Sequence, residues 1–126
     1  MTQKPPLIAV VDDEACVCKA LERLLKSAGF DVVTFTGGAP FLKFVETGRV
    51  DCAVLDLHMP HLSGIDVQLK LGEAGKRVPV VIVTGQDTPE SQQRVMDAGA
   101  VAYLRKPADD EALVEAVEKG ISRNKS

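Results

Sequence analysis

Tryptophan is absent, and one tyrosine and four phenylalanines are the only aromatic residues in 126. That scarcity is ordinary for an α/β domain and singles out Tyr103. Long apolar runs are missing too. None approaches the roughly 18 residues that span a bilayer, so no membrane segment is expected. Met1–Pro6 is short and polar and lacks the apolar stretch of a secretion signal. Positive charge is in deficit, with a net charge of −3 and a pI near 5.3. A broad basic surface for nucleic acid is therefore excluded.

Cysteine is sparse and odd in number: Cys16, Cys18 and Cys52. Cys16 and Cys18 stand two apart on an expected helix, on different faces, badly placed to pair or to chelate. No Cys/His set has zinc spacing. The plain reading is small buried or half-buried thiols in a reducing cytosol, with a redox role as the alternative. Also missing are a Gly-rich Walker loop, a Gly-x-Ser-x-Gly elbow and a Ser/His/Asp order. His58 and His61 lie three apart with no third ligand in evidence, so a loop flanking a site suits His58 better than phosphoacceptor or ligand duty.

With 45% hydrophobic residues, 126 residues suffice for one domain, expected over 1–126 with Ser122–Ser126 as a polar tail or the start of a linker. Leu7–Val11 is a continuous apolar run, as a strand buried on both faces requires. Asp12 or Asp13 should cap a helix to about Ala28, with Gly29 as its C′ residue. Val32–Phe35 reads as a strand. Pro40 suits the first turn of a short helix that ends at Gly48. Cys52–Leu55 is the third strand, followed by a loop over Asp56–Ser63. Ser63 and Asp66 have capping-box spacing, which starts a helix near Gly64 that ends at Gly72 or Gly75. Val80–Thr84 is the fourth strand. Thr88-Pro89 opens a helix to Ala98, anchored only by Val95, Met96 and Ala98. Few apolar anchors mean either a solvated face or a movable surface beside Thr84. Ala102–Arg105 is the fifth strand, and Asp109, Asp110 and Glu111 complement the start of a last helix. Strict alternation predicts five βα units with right-handed crossovers and a parallel sheet covered on both faces.

In such a sheet, ligands bind beyond the strand carboxyl ends. Five residues end strands there: Asp12, Asp13, Asp56, Thr84 and Lys106. Adjacent acids raise each other's pKa unless a cation is present, and Mg²⁺ or Mn²⁺ suits carboxylates, a carbonyl and water. Asp56 is a competent nucleophile for an aspartyl-phosphate. Lys106 offers a counter-charge, and Thr84 and the Gly85 amide offer donors to a phosphoryl oxygen. The bond before Pro107 is one to watch for cis geometry.

The chain carries, in order, Val10-Val11-Asp12-Asp13-Glu14, Leu55-Asp56-Leu57-His58-Met59-Pro60, Ser63-Gly64, Val83-Thr84-Gly85, Ala98-Gly99-Ala100 and Lys106-Pro107. In this order and spacing these pieces resemble bacterial two-component response-regulator receiver domains. The phrasing around Phe35, Phe41-Leu42, Pro79–Gly85 and Lys106-Pro107 is similar to the FixJ type. The resemblance implies a flavodoxin-like, doubly wound (βα)5 fold with sheet order 2-1-3-4-5. It implies phosphorylation of Asp56 by a sensor histidine kinase or a small phosphodonor. Asp13, Asp56 and the His58 carbonyl would hold Mg²⁺, with Asp12 acting through a metal-bound water. Thr84 and Lys106 would bind the phosphoryl group, and Tyr103 would be the switch aromatic. The surface of helix 4, strand 5 and helix 5 would carry the output, including a phosphorylation-dependent homodimer. Such a domain is cytoplasmic, touches no nucleic acid itself, and catalyses only its own phosphorylation and dephosphorylation. In a longer FixJ-like regulator its output would be transcription control.

Three departures stand out: His61 where Gly is common, Gly85 where Ala is frequent, and Ala108 for a common Phe. Two other readings stay open. A haloacid-dehalogenase-like phosphatase would want a second acid two residues after Asp56, where His58 stands. A receiver-shaped binding module that works without phosphate would have no use for Asp13, Asp56, Thr84 and Lys106 together.

Overall fold

The computed structural model describes residues 4–124. Strands and helices alternate throughout: β1 Leu7–Val11, α1 Ala15–Ser27, β2 Asp31–Phe35, α2 Gly38–Thr47 and β3 Cys52–Asp56, then α3 Gly64–Glu73, β4 Val80–Thr84, α4 Pro89–Asp97, β5 Ala102–Arg105 and α5 Asp110–Asn124. The strands form one parallel sheet in the order β2-β1-β3-β4-β5. This is the flavodoxin-like arrangement, and its order reverses beside β1.

Alternation along each strand divides the core in two. Ala9, Val11, Ala53, Leu55, Val80 and Ile82 face α2, α3 and α4, where Phe41, Val45, Ile65, Val67, Leu71 and Val95 meet them. Ile8, Val10, Cys52, Val54, Val81 and Val83 face α1 and α5, against Cys18, Leu25, Leu113, Ala116, Val117 and Ile121. Strands β3 and β4 are buried at every position, which is why they read as unbroken apolar runs.

Several local expectations are corrected. Neither Asp12 nor Asp13 caps α1. The N-cap is Glu14, and its side chain makes no capping bond. The Asp12 carboxylate is committed elsewhere, as described below. Strand β2 begins one residue early at Asp31. Helix α2 keeps Pro40 in its first turn and ends at Gly48 as expected, and it begins at Gly38, which packs too closely on Val67 and Leu62 to admit a Cβ without a shift. Asp56 belongs to β3 rather than to the following loop, because its pairing with β4 continues through Val83. Helix α5 extends through Ser122, Arg123 and Asn124, so the expected polar tail is helical there, and the rest of it lies outside the described residues.

Other signals hold. Ser63 and Asp66 form the reciprocal capping box, at 3.2 and 3.0 Å. The Thr88 hydroxyl accepts from the Ser91 N–H at 3.0 Å, with Pro89 next. Asp109 caps α5 by accepting from the Ala112 N–H at 3.1 Å. The Lys106-Pro107 bond is cis. Met96, expected to anchor α4, is instead 42% exposed, and Val95 is the only buried residue of that helix.

Candidate functional site

Four of the five strand-end residues converge where β1, β3 and β5 finish. Carboxylate oxygens of Asp12, Asp13 and Asp56 all lie within 4.8 Å of one another. Asp12 and Asp56 are buried, and Asp13 is exposed at the rim. The Lys106 ammonium reaches in to donate to Asp12 Oδ2 at 2.8 Å and stands 3.3 Å from Asp56 Oδ1. Asp12 Oδ1 accepts from the Glu14 N–H at 2.9 Å, so both Asp12 oxygens are engaged. This is why Asp12 is not a helix cap.

The charge balance is acidic: one ammonium faces three carboxylates. Burial pushes Asp56 up to about 6, aided by the Asp12 charge and resisted by Lys106. For Lys106, burial pulls the ammonium down. The hydrogen bond to Asp12 and the charges of Asp56 and Asp12 outweigh it and leave the pKa raised. A hard divalent cation fits such a donor set, because it removes the repulsion that Lys106 only partly meets.

Thr84 is fully buried, and its hydroxyl is turned to its own loop. It accepts from the Gln86 N–H at 3.0 Å and donates to the Gln86 carbonyl at 3.1 Å. Lys106 is tied to it through the backbone, its N–H donating to the Thr84 carbonyl at 2.8 Å. Gly85 is exposed beside them, and a Cβ there would meet nothing within 4 Å. The His58 side chain is exposed, and Leu57 on one side and Met59 on the other are buried. His61 adopts φ +70°, a left-handed conformation that explains why Gly serves well at this point.

Tyr103 packs half-buried against the side of the core that holds α4. Burial raises the Tyr103 pKa, and the Asp87 charge pushes the same way. Among the described residues the buried Tyr103 hydroxyl has no well-formed hydrogen bond, although Asp87 is near enough to act on it. Asp87 also lies 3.7 Å from Arg105, the residue before Lys106.

One residue went unremarked in the sequence. Gln68 falls on the apolar stripe of α3 between Val67 and Leu71 and is 6% exposed. A polar residue at helical spacing within a buried face was the available signal.

Residues 8–118 match the response regulator receiver domain. The chain belongs to that family, and it is a receiver of the kind found in two-component response regulators. It is 32% identical to the response regulator protein TodT of Pseudomonas putida over 121 residues, covering 96% of this chain and 53% of TodT. It is 34% identical to the transcriptional regulatory protein FixJ of Rhizobium meliloti over 112 residues, covering 89% of this chain and 55% of FixJ. The crystal structure of FixJ-N superposes with a TM-score of 0.88 at 32% identity, covering 97% of this chain and 96% of that one. The chain spans about half the length of the curated relatives it matches. Among the described residues, no helix is long and apolar enough to cross a membrane.

Proposed function

We propose that Asp56 is the phosphoacceptor of a cytoplasmic phosphorylation switch, charged by a sensor histidine kinase or a small phosphodonor. The observation that carries this is the cluster itself: Lys106 between buried Asp12 and Asp56, with Asp13 at the rim. Asp13, Asp56 and the His58 carbonyl are the groups to hold Mg²⁺ or Mn²⁺, with Asp12 acting through water. When bound, the cation neutralises carboxylate charge and polarises the phosphoryl oxygens.

A carboxylate oxygen of Asp56 attacks phosphorus while the bond from phosphorus to the donor's imidazole nitrogen breaks. The acyl phosphate forms, and the nitrogen keeps the electron pair. This requires Asp56 ionised, which its raised pKa still allows above about pH 6. Catalysis here is positioning and charge stabilisation, with no acid–base step on the protein. Lys106 turns from the carboxylates toward the new phosphoryl oxygens. Thr84 exchanges its bonds with Gln86 for one to the phosphoryl group, which moves the loop that leads into α4. Tyr103, already packed toward the core side of α4, adjusts with it. The surface of α4, β5 and α5 then changes its affinity for a partner or for a second copy of the chain. In a longer regulator of the FixJ kind this would govern transcription. The chain acts only on itself and has no separate turnover.

Intact mass after acetyl phosphate with Mg²⁺ tests this. One added phosphoryl group is expected in the wild type, none with EDTA, and none in Asp56→Asn. Addition that persists in Asp56→Asn would overturn the assignment.

A further inference from the structure

Helix α4 is held unevenly. From Pro89 to Arg94 it buries no side chain, and its first turn rests on the Thr88 cap. Its C-terminal end is fixed at several points. Val95 is fully buried. The chain then closes a Schellman turn: Gly99 at φ +97° donates to the Met96 carbonyl at 3.0 Å, and Ala100 donates to the Val95 carbonyl at 3.1 Å.

The same Val95 carbonyl accepts a second bond from another helix. The side-chain amide nitrogen of Gln68, on α3, donates to it at 3.1 Å across 27 residues of sequence. Gln68 is buried, and its amide oxygen has no hydrogen-bond partner among the described residues. A buried amide with one atom satisfied and one unmet is disfavoured relative to an apolar residue of the same shape. Leu or Met would fill this position on the stripe of Ile65, Val67 and Leu71 without that penalty. The donor bond to α4 is what the amide supplies in return.

We infer that Gln68 is a positioning residue, the pivot on which α4 turns. Its amide holds the C-terminal end of α4 against α3. The N-terminal end, next to the Thr84–Gln86 turn, swings. The inference rests on the phosphorylation reading only for what drives the swing. The pivot is a property of the unphosphorylated chain.

The test uses the full chain without phosphodonor. Gln68→Met keeps the length and removes both amide atoms. Amide exchange from Arg94 to Ala100 is expected to quicken by more than twofold and by about fivefold at the midpoint of what one lost hydrogen bond supplies. Amides of α5 and of the central strands are expected to stay as they are. Exchange within twofold across Arg94–Ala100 would overturn the pivot. A wild-type measurement covers the case where the variant does not fold. By NMR, the Gln68 side-chain amide is expected to hold its shift when beryllium fluoride and Mg²⁺ are added, while the amides of Gln86–Gln92 move. A Gln68 signal that moves with them, or an even response from Thr88 to Ala100, would overturn it as well. If no amide near Asp56 responds, the phosphorylation reading falls, and slow Gln68 side-chain exchange in the untreated protein still supports the pivot while fast exchange overturns it.

Discussion

Lys106 spans 94 residues of sequence to hold Asp12 at 2.8 Å, closer than the 3.3 Å that separates it from Asp56. The ammonium is thus held by Asp12 while remaining within reach of Asp56, the acceptor proposed above. Replacing it with Lys106→Met leaves Asp12 and Asp56 without a cation in the metal-free protein. The Asp56 pKa should then rise above about 6, because burial and the Asp12 charge both act in that direction unopposed. A carboxyl-carbon NMR titration reads this directly, and an unmoved midpoint would contradict the assigned role. Steady-state labelling by acetyl phosphate should fall by roughly tenfold or more, the worth of one charge-assisted hydrogen bond.

Asp56 makes the fold sensitive to pH in an unusual direction. Its folded pKa of about 6 lies above the ordinary carboxylate value of 3.8. The folded state therefore binds the proton more tightly than the unfolded chain does. Stability falls as pH rises from 3.8 through 6, and the full penalty is present above 6. Asp56→Asn should be more stable than wild type at pH 7.5 without metal, by at most about 3 kcal/mol. The advantage should vanish near pH 4. Denaturant melts across that range check it, and a constant difference would refute it. Added Mg²⁺ should stabilise the wild type much more than the Asn variant at pH 7.5.

Two glycines of α3 should respond oppositely to alanine. A Cβ on Gly64 would stand 2.9 Å from the Asp56 carbonyl and 3.2 Å from the Leu57 Cα, so the backbone that carries Asp56 must shift. Gly64→Ala should lose about 1–3 kcal/mol of stability and slow labelling. A Cβ on Gly72 meets nothing within 4 Å, and Gly72→Ala should gain about 0.5–1 kcal/mol from helix propensity. Equal effects at the two positions would argue against the close approach at Gly64.

The three thiols should separate under alkylation. Cys52 is buried, and burial pushes it up to about 12. Cys18 is buried too. Burial and the Asp12 charge raise it, and its Sγ donates to the Asp12 carbonyl at 3.3 Å. Cys16 is exposed. Mass spectrometry of the native protein with iodoacetamide at pH 7.5 should find one modification, at Cys16. Labelling of Cys18 at a similar rate would mean that the start of α1 opens.

Strand positions were legible because buried parallel strands are written as short unbroken apolar runs. Leu7–Val11 and Val80–Thr84 were read to the residue, and the half-buried edge strand Ala102–Arg105 was placed as closely by the alternation of elements. Turn chemistry was legible where it is local, as at Ser63 and Asp66. What escaped were residues whose partners lie far along the chain. Asp12 looks like a cap until Lys106 is known to claim it. Gln68 interrupts the apolar stripe of α3 for no visible reason until α4 is placed beside it. Met96 has the right spacing to be buried, yet Val95 is the one buried residue of α4. The end of α5 was misjudged because polarity alone marked Ser122–Asn124 as a tail, although Ile121 before them is still packed.

Strand β5 lies at the sheet's edge and is its last strand in chain order. It delivers Lys106 to carboxylates carried by β1 and β3. A chain emerging from the ribosome therefore presents Asp12, Asp13 and Asp56 long before their cation arrives. Until then Asp56 has neither its counter-charge nor its buried setting. On the proposed mechanism a half-made receiver is deaf to its donor, and competence to take a phosphoryl group reports that the last strand has joined the sheet.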